Sequence, residues 1–192
     1  MTMATQPKRY ISPQEYLEIE READFRSEYF DGEMFAMAGG SDDHAQITTN
    51  IAGEMRQRLK GKRCRVSAID KRVNIPGAEL YIYPDVIVLC SEPRHSPIDK
   101  DTLQNPTIVF EVLSPSTESY DRGKKFERYQ SLDSLKEYLL VAQDTYRVER
   151  YKRQPSGDWL LSVFTSLSES IPFPELGCEL PLSEIYLLVE LT

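Results

Sequence analysis

Two of the most apolar runs in this chain each carry a carboxylate. Asp85 lies within Leu80-Tyr81-Ile82-Tyr83-Pro84-Asp85-Val86-Ile87-Val88-Leu89, and Glu111 interrupts Thr107-Ile108-Val109-Phe110-Glu111-Val112-Leu113. An unpaired charge in such a run costs several kcal/mol or must find partners. Any fold that accepts both runs as strands therefore has to satisfy both acids. As ordinary core acids, each would pair with an arginine or with backbone. On neighbouring strands, the two would offer hard oxygen ligands to one divalent metal.

The rest of the chain supplies short elements of both kinds. Ser12-Pro13-Gln14-Glu15 reads as a helix start, with Ser as N-cap and Pro at the first helical position, and a helix is expected to about Asp24. Asp31-Gly32 between two short extended runs predicts a β-hairpin over 28–37. A second helix follows Gly39-Gly40-Ser41, with Ile47, Ile51, Met55 and Leu59 on one face. Residues 65–75, 80–90 and 107–113 are expected as strands, with 91–106 as the loop between the last two. A helix over 121–132, a strand over 137–142 and a hairpin of 147–151 with 159–165 complete the reading. The expected fold is α/β (α+β), a mixed β-sheet flanked by helices, formed by one domain over 1–192 with residues 1–11 as a flexible arm. There is no GxGxxG or phosphate-loop sequence to suggest a doubly wound nucleotide fold.

Composition narrows the functional classes. Lys and Arg number 23 against 31 Asp and Glu, a net charge of −8, which disfavours indiscriminate nucleic-acid binding through a basic surface. It leaves room for clustered carboxylates that a cation would neutralise. No segment approaches the roughly 18 consecutive apolar residues of a membrane span, and 1–9 has no apolar core of a signal peptide, so no membrane partner and a cytoplasmic location are expected. Cys64, Cys90 and Cys178 are odd in number and far apart, and are expected as unpaired, buried small side chains. With only His44 and His95 as histidines, the composition also argues against a zinc site.

In the predicted helix over 121–132, Lys125, Tyr129 and Leu132 fall at i, i+4 and i+7, which puts Lys125 on the buried face; Lys124 is rotated about 100° towards solvent. A lysine turned towards two carboxylates can stabilise charge on a phosphoryl group or orient a water, or it can simply snorkel to solvent.

Pro84-Asp85, then Glu111-Val112-Leu113, then Lys125 resemble the PD-(D/E)XK nuclease superfamily. More closely, the segment 106–129 with Glu137-Tyr138-Leu139-Leu140-Val141 resembles the Uma family of restriction-endonuclease-like proteins. The resemblance implies an endonuclease in which Asp85 and Glu111 bind Mg²⁺, with Mn²⁺ as an alternative, and a lysine assists water attack on a phosphodiester. DNA is the expected substrate and a homodimer a common assembly. Leu113 occupies the usual lysine position two residues after the Glu, and Lys125 matches the family's shifted lysine. Glu28 matches a family acid that would complete the metal shell, or it is a surface hairpin acid. His44, in the first turn of the second helix, could contact the scissile phosphate or a metal-bound water, or could be a capping residue.

Arg56, Arg58, Lys60, Lys62, Arg63 and Arg65 form a basic stretch that could bind phosphates, or merely complement a helix C-terminus. A second reading of the whole chain is a catalytically silent nucleic-acid-binding or regulatory module on the same fold, and a third is a hydrolase of small phosphate esters.

Overall fold

In the computed structural model, which describes residues 9–191, the Ser12 hydroxyl accepts the Glu15 backbone N–H at 3.2 Å and opens helix α1 (Pro13–Glu22). The hairpin β1 (Ser27–Phe30) and β2 (Glu33–Ala36) turns at Asp31 and Gly32, with φ of 46° and 88°; a turn with both central residues at positive φ matches the twist of the strands it joins. A Cβ on Gly32 would lie 2.1 Å from the Tyr10 ring, so glycine is required there twice over. Of the arm expected over 1–11, residues 1–8 lie outside the described residues, while the Ile11 N–H donates to the Gly32 carbonyl at 2.9 Å and the Tyr10 hydroxyl to Glu79 at 2.6 Å.

Helix α2 (Asp42–Arg58) is capped by Ser41 and buries Ile47, Ile51 and Met55 on one face, with Leu59 buried at its end. The strands β3 (Arg65–Ala68), β4 (Val73–Ile75), β5 (Leu80–Ile82) and β6 (Val86–Leu89) follow. Next come β7 (His95–Ser96), β8 (Asp99–Leu103) and β9 (Ile108–Leu113). A helical segment then runs through α3 (Glu118–Tyr120), a π-helical turn (Asp121–Lys125) and α4 (Phe126–Tyr129). The strands β10 (Glu137–Ala142), β11 (Val148–Arg153) and β12 (Trp159–Phe164) precede a hairpin of β13 (Ser170–Phe173) and β14 (Cys178–Pro181), and α5 (Leu182–Ile185) follows. No helix among the described residues is long and apolar enough to cross a membrane.

The strands form two six-stranded mixed sheets, in the orders β2-β1-β5-β4-β8-β7 and β12-β11-β10-β9-β6-β3, and β13-β14 stands apart. Side chains alternate along a strand, so β9 sends Ile108, Phe110 and Val112 towards α2 and the C-terminal hairpin, and Val109 and Leu113 to the opposite face. That opposite face packs on Val73, Ile75, Leu80 and Ile82 of the first sheet and on Phe126 and Tyr129 of the helical segment. A third cluster seats α1 against β1 and β5 through Tyr16, Leu17, Tyr29 and Tyr81.

Several sequence expectations need correction. Residues 65–75 and 80–90 are each two strands in two different sheets. Ile69 has φ of 62°, a conformation β-branched residues rarely adopt, and its N–H donates to the Asp85 carbonyl at 3.0 Å. Pro84 cannot donate to a ladder, so the chain leaves one sheet before it and enters the other at Val86. The expected loop 91–106 contains the β7–β8 hairpin. Cys64 and Cys90 form a disulfide, because β3 and β6 pair Arg65 with Leu89 and so bring the preceding and following cysteines opposite each other.

A buried polar chain anchors the crossing between sheets. Glu20 accepts the Ser27 N–H at 3.1 Å and the Tyr83 hydroxyl at 2.9 Å; Arg72 donates to that hydroxyl at 2.8 Å, to Thr102 at 2.8 Å and to Asp99 at 2.5 Å. Burial opposes ionisation of Asp99, but hydrogen bonds from Thr102 and Arg72 win and lower its carboxyl from 3.8 to about 2. The unfolded chain then binds more protons between those values, so the stabilisation is fully present above about pH 4 and lost as pH falls through about 2. Urea unfolding should show stability falling across that window, and Asp99→Asn should flatten the fall while lowering stability at pH 7.

A candidate active site

The antiparallel register of β6 on β9 pairs Val86 with Phe110, Ile87 with Val109 and Val88 with Ile108. Continued one residue past the end of β6, that register sets Asp85 opposite Glu111, and the Asp85 carboxylate takes the N–H of the neighbouring Val112. Both acids share the face of Ile87, Leu89, Val109 and Leu113, because they lie at even spacing from those residues. Directly opposed residues have Cβ atoms only about 4.5–5.5 Å apart, so the two runs singled out by their acids bring those acids together. Asp85 accepts the Val112 N–H through Oδ2 at 2.7 Å, and its Oδ1 accepts from His44 Nε2 at 2.9 Å. His44 sits in the first turn of α2, as expected, beside the positive end of the helix. Its Nδ1 is buried with no hydrogen-bond partner among the described residues.

Glu111 is 3% exposed and Lys125 5%. The Lys125 ammonium lies 2.9 Å from Glu111, 3.3 Å from Asp121 and 3.4 Å from Glu28. The helical segment achieves this through its π-turn, a local widening that often marks functional sites. Asp121 and Lys125 are both buried in that turn, and Lys124 between them is exposed at the cleft. Glu28, on β1, also accepts the Tyr83 N–H at 3.4 Å, which ties it to the chain just before Pro84.

Electrostatics follow from this crowding. Burial pushes the Glu111 carboxyl well above the usual carboxylate range; Lys125 opposes that, while Asp121, Asp85 and Glu28 add to it. Burial works against the Lys125 charge, but Glu111, Glu28 and Asp121 outweigh it and hold the ammonium well above its ordinary value. His44 is raised by its hydrogen bond to Asp85 and by the charges of Asp85 and Asp121, against burial.

These groups line a cleft of about 680 Å³. Among the described residues, no three His, Cys, Asp or Glu side chains already surround one point as metal ligands do. The ammonium of Lys125 holds together Glu28, Glu111 and Asp121 instead. The donors nevertheless fit a hard divalent cation: the cleft gathers the carboxylates of Glu28, Asp85, Glu111 and Asp121, the oxygen ligands that Mg²⁺ and Mn²⁺ prefer.

Sequence reasoning missed Asp121 and Tyr129, whose hydroxyl donates to Glu111 at 3.4 Å. The four-residue spacing of Asp121 to Lys125 was available as a signal. The basic stretch is not brought to the cleft: Arg56 and Arg58 close α2 at the end opposite His44, about 18 and 21 Å away along the axis, and Arg58 pairs with Glu54 and donates to the Glu179 carbonyl at 2.5 Å.

The comparisons with known proteins agree with one another. The family model described as "Uma2: Putative restriction endonuclease" matches residues 13–183. Two uncharacterized proteins of Synechocystis sp. are similar over most of their length: slr1290 is 36% identical over 92% of this chain and 91% of its own, and sll1609 is 33% identical over 90% and 97%. A crystal structure titled as a putative nuclease belonging to DUF820, from Anabaena variabilis, superposes with a TM-score of 0.74 at 18% identity, covering 92% of this chain and 97% of that one. This last likeness shows that the two chains share one fold, mixed sheets flanked by helices.

Removing the cation from a buried ion pair leaves uncompensated charge. Lys125→Met should lower unfolding free energy by about 3–5 kcal/mol in urea titrations at pH 7, the range for breaking such pairs. Lys124→Met should change it little, since Lys124 is exposed.

Proposed function

The chain belongs to the Uma2 family, and from that premise we propose that it is a divalent-metal-dependent endonuclease that hydrolyses phosphodiester bonds in DNA. The observation that carries the reading is the opposition of Asp85 and Glu111 across β6 and β9, with Lys125 beside them in one cleft.

In this reading Asp85 and Glu111, with Glu28, hold Mg²⁺ or Mn²⁺. The cation, when bound, polarises the phosphate and lowers the pKa of a bound water. The chain's own groups do the rest. The Val112 N–H and His44 fix the two oxygens of Asp85, so its carboxylate is oriented before any ligand arrives. Lys125 carries a positive charge at the cleft floor, where negative charge on a phosphoryl group in transfer is stabilised most strongly, away from bulk water. Asp121 is the positioning residue for Lys125, holding the ammonium from the side of its own helix. His44 acts through its hold on Asp85, and the N-terminus of α2 is what would meet a phosphate oxygen. Tyr129 steadies Glu111 from behind.

Purified protein incubated with supercoiled plasmid and with single-stranded DNA, in Mg²⁺, Mn²⁺ or EDTA, tests this directly. Cleavage should require the metal and vanish in Asp85→Ala with the far-UV circular dichroism unchanged. In His44→Ala it should slow by about 10–100-fold, as for the loss of a group that orients a metal-ligating carboxylate. Cleavage retained by folded Asp85→Ala contradicts the assignment. A wild-type protein that neither cuts nor binds metal instead supports a catalytically silent module.

A further inference from the structure

One wall of the cleft is apolar and partly exposed. In the β1–β2 register Phe35 is the direct partner of Glu28, so the two share a face, and Phe30 lies on that face two residues beyond Glu28. Phe35 is nonetheless 48% exposed and Met37 37%, and both line the cleft next to the acids. Cations stand nearby: Lys124 lines the cleft, and the Arg128 guanidinium lies 5.2 Å from the centre of the Phe30 ring.

Size limits what can enter. A volume of about 680 Å³ is that of a cube roughly 9 Å across, within the range of small-ligand sites, and Glu111 and Lys125 lie at its floor. In an intact duplex the bases are stacked inside the helix, and none can lie on Phe35 while its phosphate meets the acids. One nucleotide freed from its stack can, and every base has a face that an aromatic ring accepts without regard to sequence.

We propose, resting on the nuclease reading above, that the cleft takes an unpaired DNA strand. The base next to the scissile phosphate stacks on Phe35, with Met37 beside it, and Lys124 and Arg128 meet the flanking phosphates. Phe35 is then a specificity-determining residue: it selects single-stranded or frayed DNA over intact duplex.

The test uses the full chain and oligonucleotides carrying one 2-aminopurine, whose fluorescence is quenched on stacking, in single-stranded and duplex form with Ca²⁺. Single strands should bind more tightly than duplex, with a change in fluorescence. Phe35→Ala should weaken single-strand binding between about fivefold and about a hundredfold, the worth of one stacked base, and abolish the change, while Phe35→Trp keeps both. Equal or tighter duplex binding, no binding of single strands, or single-strand binding indifferent to Phe35→Ala overturns the proposal. Binding with the stacking signal but no cleavage in Mg²⁺ or Mn²⁺ upholds the stacking site and sinks the nuclease reading instead.

Discussion

The Lys125 ammonium, held between Glu28, Glu111 and Asp121, is the contact on which the arrangement of the cleft depends. Two sheets and a helix converge there, and each brings a carboxylate: β1 of the first sheet, β9 of the second, and the π-turn of the helical segment. Without a cation these elements would repel one another in a poorly solvated space. With it they are drawn to one point, and the surplus acid is left facing the cleft. The burial of Glu111 and the charge on Lys125 are therefore one fact seen from two sides.

Support for that point comes from behind. The chain Glu20–Tyr83–Arg72–Asp99 pins the backbone immediately before Pro84, and Tyr83 passes the constraint to Glu28 through its N–H. Asp85 is thus fixed from three directions: by the seam between sheets, by the Val112 N–H and by His44. Orientation of a reactive carboxylate is what a scaffold of short strands can provide, because ladders and a buried polar chain hold the seam on both sides.

Much of this was legible in the sequence. Asp85 and Glu111 stood out because charge in an apolar run demands explanation, and Lys125 because its helical spacing to Tyr129 and Leu132 put it on the buried face. His44 was visible from its place at the helix start, and Glu28 only through the family resemblance. The division of 65–75 and 80–90 between two sheets was not legible, since β-propensity describes a pleated surface without saying which one. Asp121 was missed although its four-residue spacing puts it beside Lys125 on a helix; the wider turn that buries both is not visible in the pattern. The Cys64–Cys90 pairing needed the register of β3 on β6, which the spacing of the cysteines does not contain. The basic stretch was legible as the end of the second helix, and the structure puts that end away from the acids.

The central claim is that opposed strand acids form a cation site in this cleft. Isothermal titration of Mg²⁺ and Mn²⁺ into the wild-type chain, beside a folded Asp85→Ala/Glu111→Ala double variant, addresses it without relying on any substrate. The account predicts saturable binding near one ion per chain that the double variant loses. Absence of binding to the wild type, or binding left unchanged by the double substitution, would contradict it.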